Sequence, residues 1–382
     1  MHYFNHSKRD IRSLSILYKI CTLLAVIPCD SFKNTNVTST AWKKIKGLLL
    51  IGGISIGTAY SMYFRHIFYK NLYTLTHLVL DYIDEFFVVM IAFTVIFNSC
   101  FCSKDCWIKL NNNLQHIDEV LKNKDKKEQN LLRNISIQFT GYFLVYVFNV
   151  LFLMYIWMEK MGVESLQSHA LHQFCYVYDL LLHFLIFTIC SALQCRYDDL
   201  NDLLESEANE YSENNIMTSL RKIENVSQIL SETVNLFNEV FGTPLIFITG
   251  KSITQLLTCL NFLTNNLKID DVEFKHRLFV ANVTLVIYTL VSVSYIMISA
   301  DRATASSTKT TSLCYKFQEQ FVTKSEARLE LFKLAQQTTA STAVITAANF
   351  FQINKATLFG LFGTTTTYFI VILQFNQSLS GN

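Results

Sequence analysis

Proline is almost missing from this sequence: of 382 residues only Pro28 and Pro244 are proline. Proline inside a helix is the ordinary source of a sharp kink, so long helices in this chain are expected to run straight. Charge is scarce as well. Charged residues make up 16% of the chain and hydrophobic residues 51%, where soluble domains carry about 25% charge. That balance, with a mean hydropathy of +0.27, argues against an ordinary soluble domain and predicts a polytopic membrane protein. The net charge is only +2, which leaves no basic excess for a nucleic-acid partner. With so little proline, no Asp-Arg-Tyr after a third span and no Asn-Pro-x-x-Tyr in the last, the chain does not read as a G-protein-coupled receptor. Ten cysteines are present, yet most, such as Cys21, Cys175, Cys190 and Cys259, sit in apolar runs as small hydrophobes, and no disulfide framework is evident. Cys100, Cys102 and Cys106 cluster in "CFCSKDC". They read as free thiols at a helix end, rather than a metal site or a palmitoylated membrane edge, because no histidine sits at ligand spacing. No set of catalytic acid, base and nucleophile is evident, so no enzyme, cofactor or metal is expected.

What the chain does have is apolar runs. A spanning helix needs about 20 mostly apolar residues, and eight candidates occur: Leu14 to Pro28, Leu48 to Phe64, Leu75 to Phe101, Ile135 to Met158, Leu171 to Cys195, Val240 to Leu263, Leu278 to Ser299 and Thr357 to Phe375. The first is short, carries Lys19 and ends at Pro28, which fits a re-entrant or interfacial helix. Seven spans remain. With the N-terminus inside, twenty-five lysines and arginines fall in cytoplasmic segments, and six, Arg65, Lys70, Lys160, Lys268, Lys275 and Arg277, fall in outer loops. By the positive-inside rule this predicts a plasma-membrane protein with a cytoplasmic N-terminus and an extracellular C-terminus.

The outer connections are short, and the length lies in cytoplasmic segments at 102–134, 196–239 and 301–356. Each has apolar residues at helical spacing. Examples are Trp107, Leu110, Leu114, Ile117 and Leu121 in the first, and Ile216, Leu220, Ile223, Val234 and Phe237 in the second. The run "EARLELFKLAQQTTASTAVITAANFF" reads as helix too, and only "SSTKTTS", Ser306 to Ser312, reads as a flexible linker. The expected fold is all-α. A cytoplasmic N-terminus with the short helix covers 1–46, a bundle of six spans 47–300, anchor helices 301–356, a seventh span 357–376 and an outer tail 377–382. Such a helical platform either serves subunit assembly or folds back on its own chain.

The seventh span closes on "TTTTYFIVILQF", Thr364 to Phe375. With Val371 at 0° and about 100° per residue, Gly360, Thr364, Thr367, Phe375 and Ser378 fall within about 40° of it, and Tyr368 and Gln374 lie about 60° to either side. Phe362, Phe369 and Leu373 point the other way. Polar groups inside a bilayer normally face protein or water, and an apolar constriction gates by dewetting. The stripe suits a pore wall built by symmetric copies. It equally suits a helix-packing face, because threonine and glycine let helices approach closely.

The same residues carry a resemblance. "TYFIVILQF", Thr367 to Phe375, resembles the Thr-Tyr, five apolar residues, Gln-Phe signature in the last helix of insect gustatory receptors. "TAANFFQIN", Thr346 to Asn354, resembles the stretch before that helix, and the layout is similar over the whole chain. The resemblance implies a ligand-gated, non-selective cation channel in sensory neurons, a homotetramer or heterotetramer with related receptors. A small-molecule tastant would bind among spans 2 to 6. It also implies an apolar gate of Val371 and Phe375, a polar ring of Gln374 and a seam at Tyr368, on the stripe that carries Thr364 and Thr367. Phe369 stands where sugar-tuned members tend to carry glutamate, which disfavours a sugar ligand.

A pocket in the outer half of those spans would draw on His77, Asp81 and Asp84 of span 2, and on Asn149, Tyr155 and Trp157 of span 3. Tyr176, Asp179 and His183 of span 4, Gln255, Thr258 and Asn261 of span 5, and Asn282 and Tyr288 of span 6 complete the set. Aromatic walls with a few fixed polar groups are usual for small ligands, although each residue alone also has a structural reading. Lys251 needs a partner, because a lone lysine inside the bilayer costs a few kcal/mol. It lies about 16 Å from one face, and Asp84 and Glu85 about 14 Å from the other. An ion pair of Lys251 with Asp84 or Glu85 is expected at the pocket floor; the alternative is a lysine held by main-chain carbonyls. The sequons at Asn282 and Asn376 lie too near the membrane for glycosylation, and Asn36 would be cytoplasmic. A transporter and a non-conducting scaffold compete as functions. Transporters usually show repeats and broken helices at matching places, and none is evident.

Overall fold

The computed structural model describes residues 11–28, 40–102, 104–121, 125–209, 213–264, 272–319 and 326–380. Asn36, and Lys8, Arg9, Lys33, Lys122, Lys124, Lys268 and Lys324 of the orientation tally, lie outside the described residues. Helix α1, Ile11–Leu23, has 13 residues, about 20 Å of rise, which is short of the ~30 Å hydrocarbon core. It lies on the bundle through Leu17 and Cys21, and the Lys46 ammonium caps its end by donating to the Thr22 carbonyl at 2.9 Å.

Among the described residues, seven helices are long and apolar enough to cross a membrane: α2 (Thr40–Leu72), α3 (Leu75–Phe97), α5 (Asp125–Met161), α6 (Glu164–Asn209), α7 (Glu213–Thr264), α8 (Val272–Gln318) and α10 (Lys355–Ser380). Helix α3 runs on through a π-helical turn, Asn98–Cys102, to α4 (Lys104–Leu121), and α9 is Glu326–Ala340. Helices α6, α7 and α8 have 46, 52 and 47 residues. At about 1.5 Å per residue each is more than twice as long as the ~30 Å hydrocarbon core. Each must therefore project from it. The projecting halves pack with α4 and α9, and the α4 stripe of Trp107, Leu110, Leu114 and Ile117 is buried there.

Two expectations fail in this region. Ser306 to Ser312 is helix within α8, not linker. Its small side chains bring α8 close to α6, where Ser306 donates to Asp198 at 2.7 Å, Thr310 to Asn201 at 2.7 Å, and Asn201 to the Ser306 carbonyl at 3.0 Å. Serine and threonine tend to bond their own backbone and form turns; here the neighbouring helix supplies the partners. The second failure follows α9, which stops at Ala340. The chain then forms the antiparallel strands β1 (Thr346–Ala347) and β2 (Phe351–Gln352). The β-branched run Val344, Ile345, Thr346 favours extended backbone, and the turn needs positive φ at Ala348 (48°) and Asn349 (61°).

Helix α7 holds that hairpin. The Asn238 amide donates to the Val344 carbonyl at 2.8 Å and accepts from the Thr346 N–H at 2.9 Å. One turn on, a β-carbon at Gly242 would sit 2.6 Å from the Ala348 nitrogen and 2.9 Å from its Cα. Only glycine permits that approach. After the hairpin, Asn354 caps α10 by accepting from the Thr357 N–H at 2.9 Å. Helix α10 docks through Leu361 and Thr365, with Leu358 and Phe369 half-buried. Only 11% of its apolar window is buried, against 78% for α6, so most of α10 is left uncovered by its own chain.

Candidate functional site

At the end of the bundle away from the hairpin, α2, α3, α5, α6, α7 and α8 surround a cavity of about 750 Å³, mouth included. Each helix presents one face to it. Arg65 and Tyr69 come from α2, Tyr73 from the bend just after it, His77, Asp81 and Asp84 from α3, and Leu153 and Trp157 from α5. Helix α6 supplies His169, His172, Gln173 and Tyr176, α7 supplies Gln255, Thr258, Cys259 and Phe262, and α8 supplies Leu278, Asn282 and Leu285. The spacings of three, four and seven are those of a single helix face.

Aromatic rings form one wall. Tyr69 lies edge-on to Tyr73 at 4.8 Å and 5.3 Å from Trp157, and Trp157 stacks on His169 at 5.4 Å. His169 Nδ1 donates to the Ser165 carbonyl at 3.0 Å, which leaves Nε2 to accept from the Tyr69 hydroxyl at 2.8 Å. Charged groups form the floor. Arg65, only 2% exposed, pairs with Asp81 at 3.3 Å and with Glu85, which also binds His172. Asp84 accepts from the Tyr176 hydroxyl at 2.6 Å; the Thr254 hydroxyl lies 3.4 Å from it but donates to the Lys251 carbonyl at 2.9 Å. Lys251 donates to Asp179 at 2.9 Å and lies over the Tyr176 ring at 4.8 Å.

The expected pairing of Lys251 with Asp84 or Glu85 is therefore corrected: its partner is Asp179. Depth along a helix sets the level of a residue but not its rotation. Helix α6 turns Asp179 toward α7, while Glu85 is taken by Arg65 and His172, and Asp84 by the Tyr176 hydroxyl. Arg65 is likewise no loop residue. Helix α2 continues to Leu72 and buries the guanidinium in its ion pairs.

Of the residues expected at a ligand pocket, Asp81, Asp84, Trp157, Tyr176, Gln255, Thr258, His77 and Asn282 line the cavity. The others do not. Tyr155 is exposed on the bundle surface near Arg277. Asp179 lies behind the wall with His183, whose Nδ1 donates to the Asp179 carbonyl at 2.8 Å. Tyr288 stacks on Tyr142 at 4.6 Å, and Asn149 accepts from Thr284 at 2.7 Å. Sequence reasoning missed Arg65, Tyr69, Tyr73, His169 and His172. Their helical repeat was readable, but hydropathy ends a span at its first charge and pushes such residues into loops.

On α10, Thr364, Thr367, Tyr368, Val371, Gln374 and Phe375 are all exposed, whereas Leu361 and Thr365 are buried. Among the described residues, Cys100, Cys102 and Cys106 carry free thiols.

Known proteins match this architecture. The sequence profile of the 7tm chemosensory receptors matches residues 14–379. A Drosophila melanogaster protein named as gustatory receptor 28a is 23% identical over 185 residues, 46% of this chain and 41% of that relative, so the match spans less than half the relative's length. In structure the chain is similar to the insect olfactory receptor OR5 from Machilis hrabei, with a TM-score of 0.62 and 12% identity over 96% of this chain and 99% of that one. The same receptor in complex with eugenol gives a TM-score of 0.60 and 13% identity, with 96% and 99% covered. At these identities the likeness is one of fold. The resemblance read from the last helix is borne out by a profile that runs almost end to end: the chain belongs to the 7tm chemosensory receptor family.

Proposed function

We propose that the protein is a gustatory receptor and a ligand-gated, non-selective cation channel. A small extracellular chemical enters the cavity, and α10 of four assembled copies lines the pore. The observation that carries this reading is α10 itself, an apolar span with only 11% of its window buried and a threonine stripe on its uncovered side. Such a face suits copies of the same helix around an axis. Val371 and Phe375, each about half exposed, supply the apolar constriction that dewetting requires, with Gln374 beside them. The projecting halves of α6 to α8, with α4 and α9, act as the cytoplasmic anchor. The gustatory name of the Drosophila relative supports taste, and the eugenol complex of the Machilis receptor supports a small organic ligand. The lysine and arginine tally supports a cytoplasmic N-terminus.

Expression in oocytes, alone and with co-receptors of the family, tests the reading against a tastant panel. Ligand-evoked cation current without G-protein signalling is expected. Surface-expressed protein that conducts in no pairing would point instead to a scaffold. Val371→Ala and Phe375→Ala should each raise the resting leak roughly tenfold, the change produced by about 1.4 kcal/mol off the closed-state barrier. A leak equal to that of the unmodified protein under voltage clamp would remove these residues from the gate.

A further inference from the structure

We propose that the cavity takes an organic ammonium, a protonated amine on an aromatic or apolar body, with its charge held by Asp84 and Gln255 and its body against Trp157, Tyr69 and Tyr73. This rests on the reading of the cavity as the ligand site.

The two strong cations of the floor are already committed, Arg65 to Asp81 and Glu85, and Lys251 to Asp179. Asp84 is different. It lines the cavity at 7% exposure, and its close donor is the Tyr176 hydroxyl at 2.6 Å, since Thr254, 3.4 Å away, gives its one proton to the Lys251 carbonyl at 2.9 Å. Among the described residues no lysine, arginine or histidine nitrogen forms an ion pair with it. A buried carboxylate is strongly desolvated and favours a full counter-charge over a hydroxyl donor alone. An arriving ammonium provides one.

Gln255 supplies a second, independent sign. It lines the cavity at 2% exposure, and its amide nitrogen has no hydrogen-bond partner. The Thr289 hydroxyl lies 2.8 Å from the Gln255 oxygen and 2.9 Å from the Leu285 carbonyl, yet it has a single proton to give. Turning the amide over resolves both faults. The amide nitrogen then donates to Thr289, Thr289 donates to Leu285, and the glutamine oxygen is left as a buried, unpaired acceptor on a residue that lines the cavity. Asp84 and Gln255 line the same cavity, from α3 and α7. A cation with several N–H donors satisfies them together.

The remaining wall fits the body of such a ligand. The ring centroids of Tyr69, Tyr73 and Trp157 lie 4.8 to 6.4 Å from one another, and aromatic faces attract cations as well as apolar groups. An anionic ligand has no comparable seat, because Arg65 already sits between two carboxylates.

The test uses the full chain in lipid nanodiscs and a panel of arylalkylamines, from 2-phenylethylamine to tryptamine and their N-methyl forms, each paired with its matched neutral alcohol. Affinity is read from ligand-induced thermal stabilisation, alongside evoked current in oocytes. At least one amine is expected to bind tenfold or more tightly than its alcohol. Asp84→Asn should lower that affinity tenfold or more while changing binding of the alcohol less than about twofold. Gln255→Leu, which leaves the ion pairs intact, should weaken the amine selectively in the same way. The proposal is overturned if no amine outbinds its alcohol, or if Asp84→Asn weakens amine and alcohol alike. Thr258→Trp, which fills the cavity, separates the two readings. A response to neutral compounds that Thr258→Trp abolishes and Asp84→Asn spares overturns the ammonium and keeps the cavity. Binding of any probe that neither substitution alters overturns the cavity itself.

Discussion

Lys251→Met should destabilise the protein by about 3 to 5 kcal/mol and clear it from the cell surface. Lys251 and Asp179 are each only 1% exposed and lie 2.9 Å apart. Removing the ammonium leaves a carboxylate in a low-dielectric interior without its cation, and that orphaned charge, rather than the lost attraction, dominates the cost. An exposed pair such as Lys333 with Glu330 would contribute only about 0 to 1 kcal/mol by comparison. The double variant Lys251→Met with Asp179→Asn should recover most of the loss, because no buried charge is then left alone. Thermal melts of the purified single and double variants, with surface biotinylation in the same cells, measure the cycle. A single variant as stable as the unmodified protein would show that water or another group compensates Asp179. Pairing Asp84→Asn with Lys251→Met should rescue little, since Asp84 is held by Tyr176.

Gly242→Val should unseat the hairpin between α9 and α10. The added β-carbon would meet main-chain atoms of Ala348 at 2.6 and 2.9 Å, and main chain cannot swing aside as a long side chain can. Overpacking of this kind costs about 1 to 3 kcal/mol. Displacing the hairpin also breaks the two Asn238 bonds to Val344 and Thr346, at about 0.5 to 1.5 kcal/mol each. A loss of about 3 kcal/mol follows, concentrated in one segment. Hydrogen exchange should show the amides of Ile345 to Ile353 losing protection while the centre of α6 keeps its own. Helix α10 starts at Lys355, directly after the hairpin, so a receptor that still reaches the surface should show altered gating with unchanged ligand affinity. Unchanged exchange in that segment would show that the close contact yields.

Much of this molecule was legible beforehand because burial in a bilayer selects crudely on polarity. Long charge-poor runs had to be helices, since a lone strand cannot satisfy its backbone in lipid, and seven of them are. The short first helix was legible from Lys19 and Pro28, and the amphipathic α4 from the spacing of Trp107 to Ile117. The "TYFIVILQF" stripe was legible from its 100° periodicity, and the residues of that stripe lie on the uncovered side of α10.

What the residues left undecided is rotation and partnership. Periodicity marks a face on each helix, and depth places Lys251 level with several carboxylates. Which carboxylate turns toward it depends on how α3, α6 and α7 rotate against one another, and Asp179 wins because Glu85 and Asp84 are occupied. For the same reason Ser306 to Ser312 reads as linker until Asp198 and Asn201 of α6 are set beside it. Likewise Thr346 to Gln352 reads as helix until Asn238 and Gly242 hold it as a hairpin. Composition and period determined the spans and their order, because those depend on each segment's own polarity, while the family was carried by the resemblance of "TYFIVILQF" and "TAANFFQIN". Only the tertiary structure decided the cavity, the ion pairs and the hairpin, because those depend on atoms brought together from helices far apart in the chain.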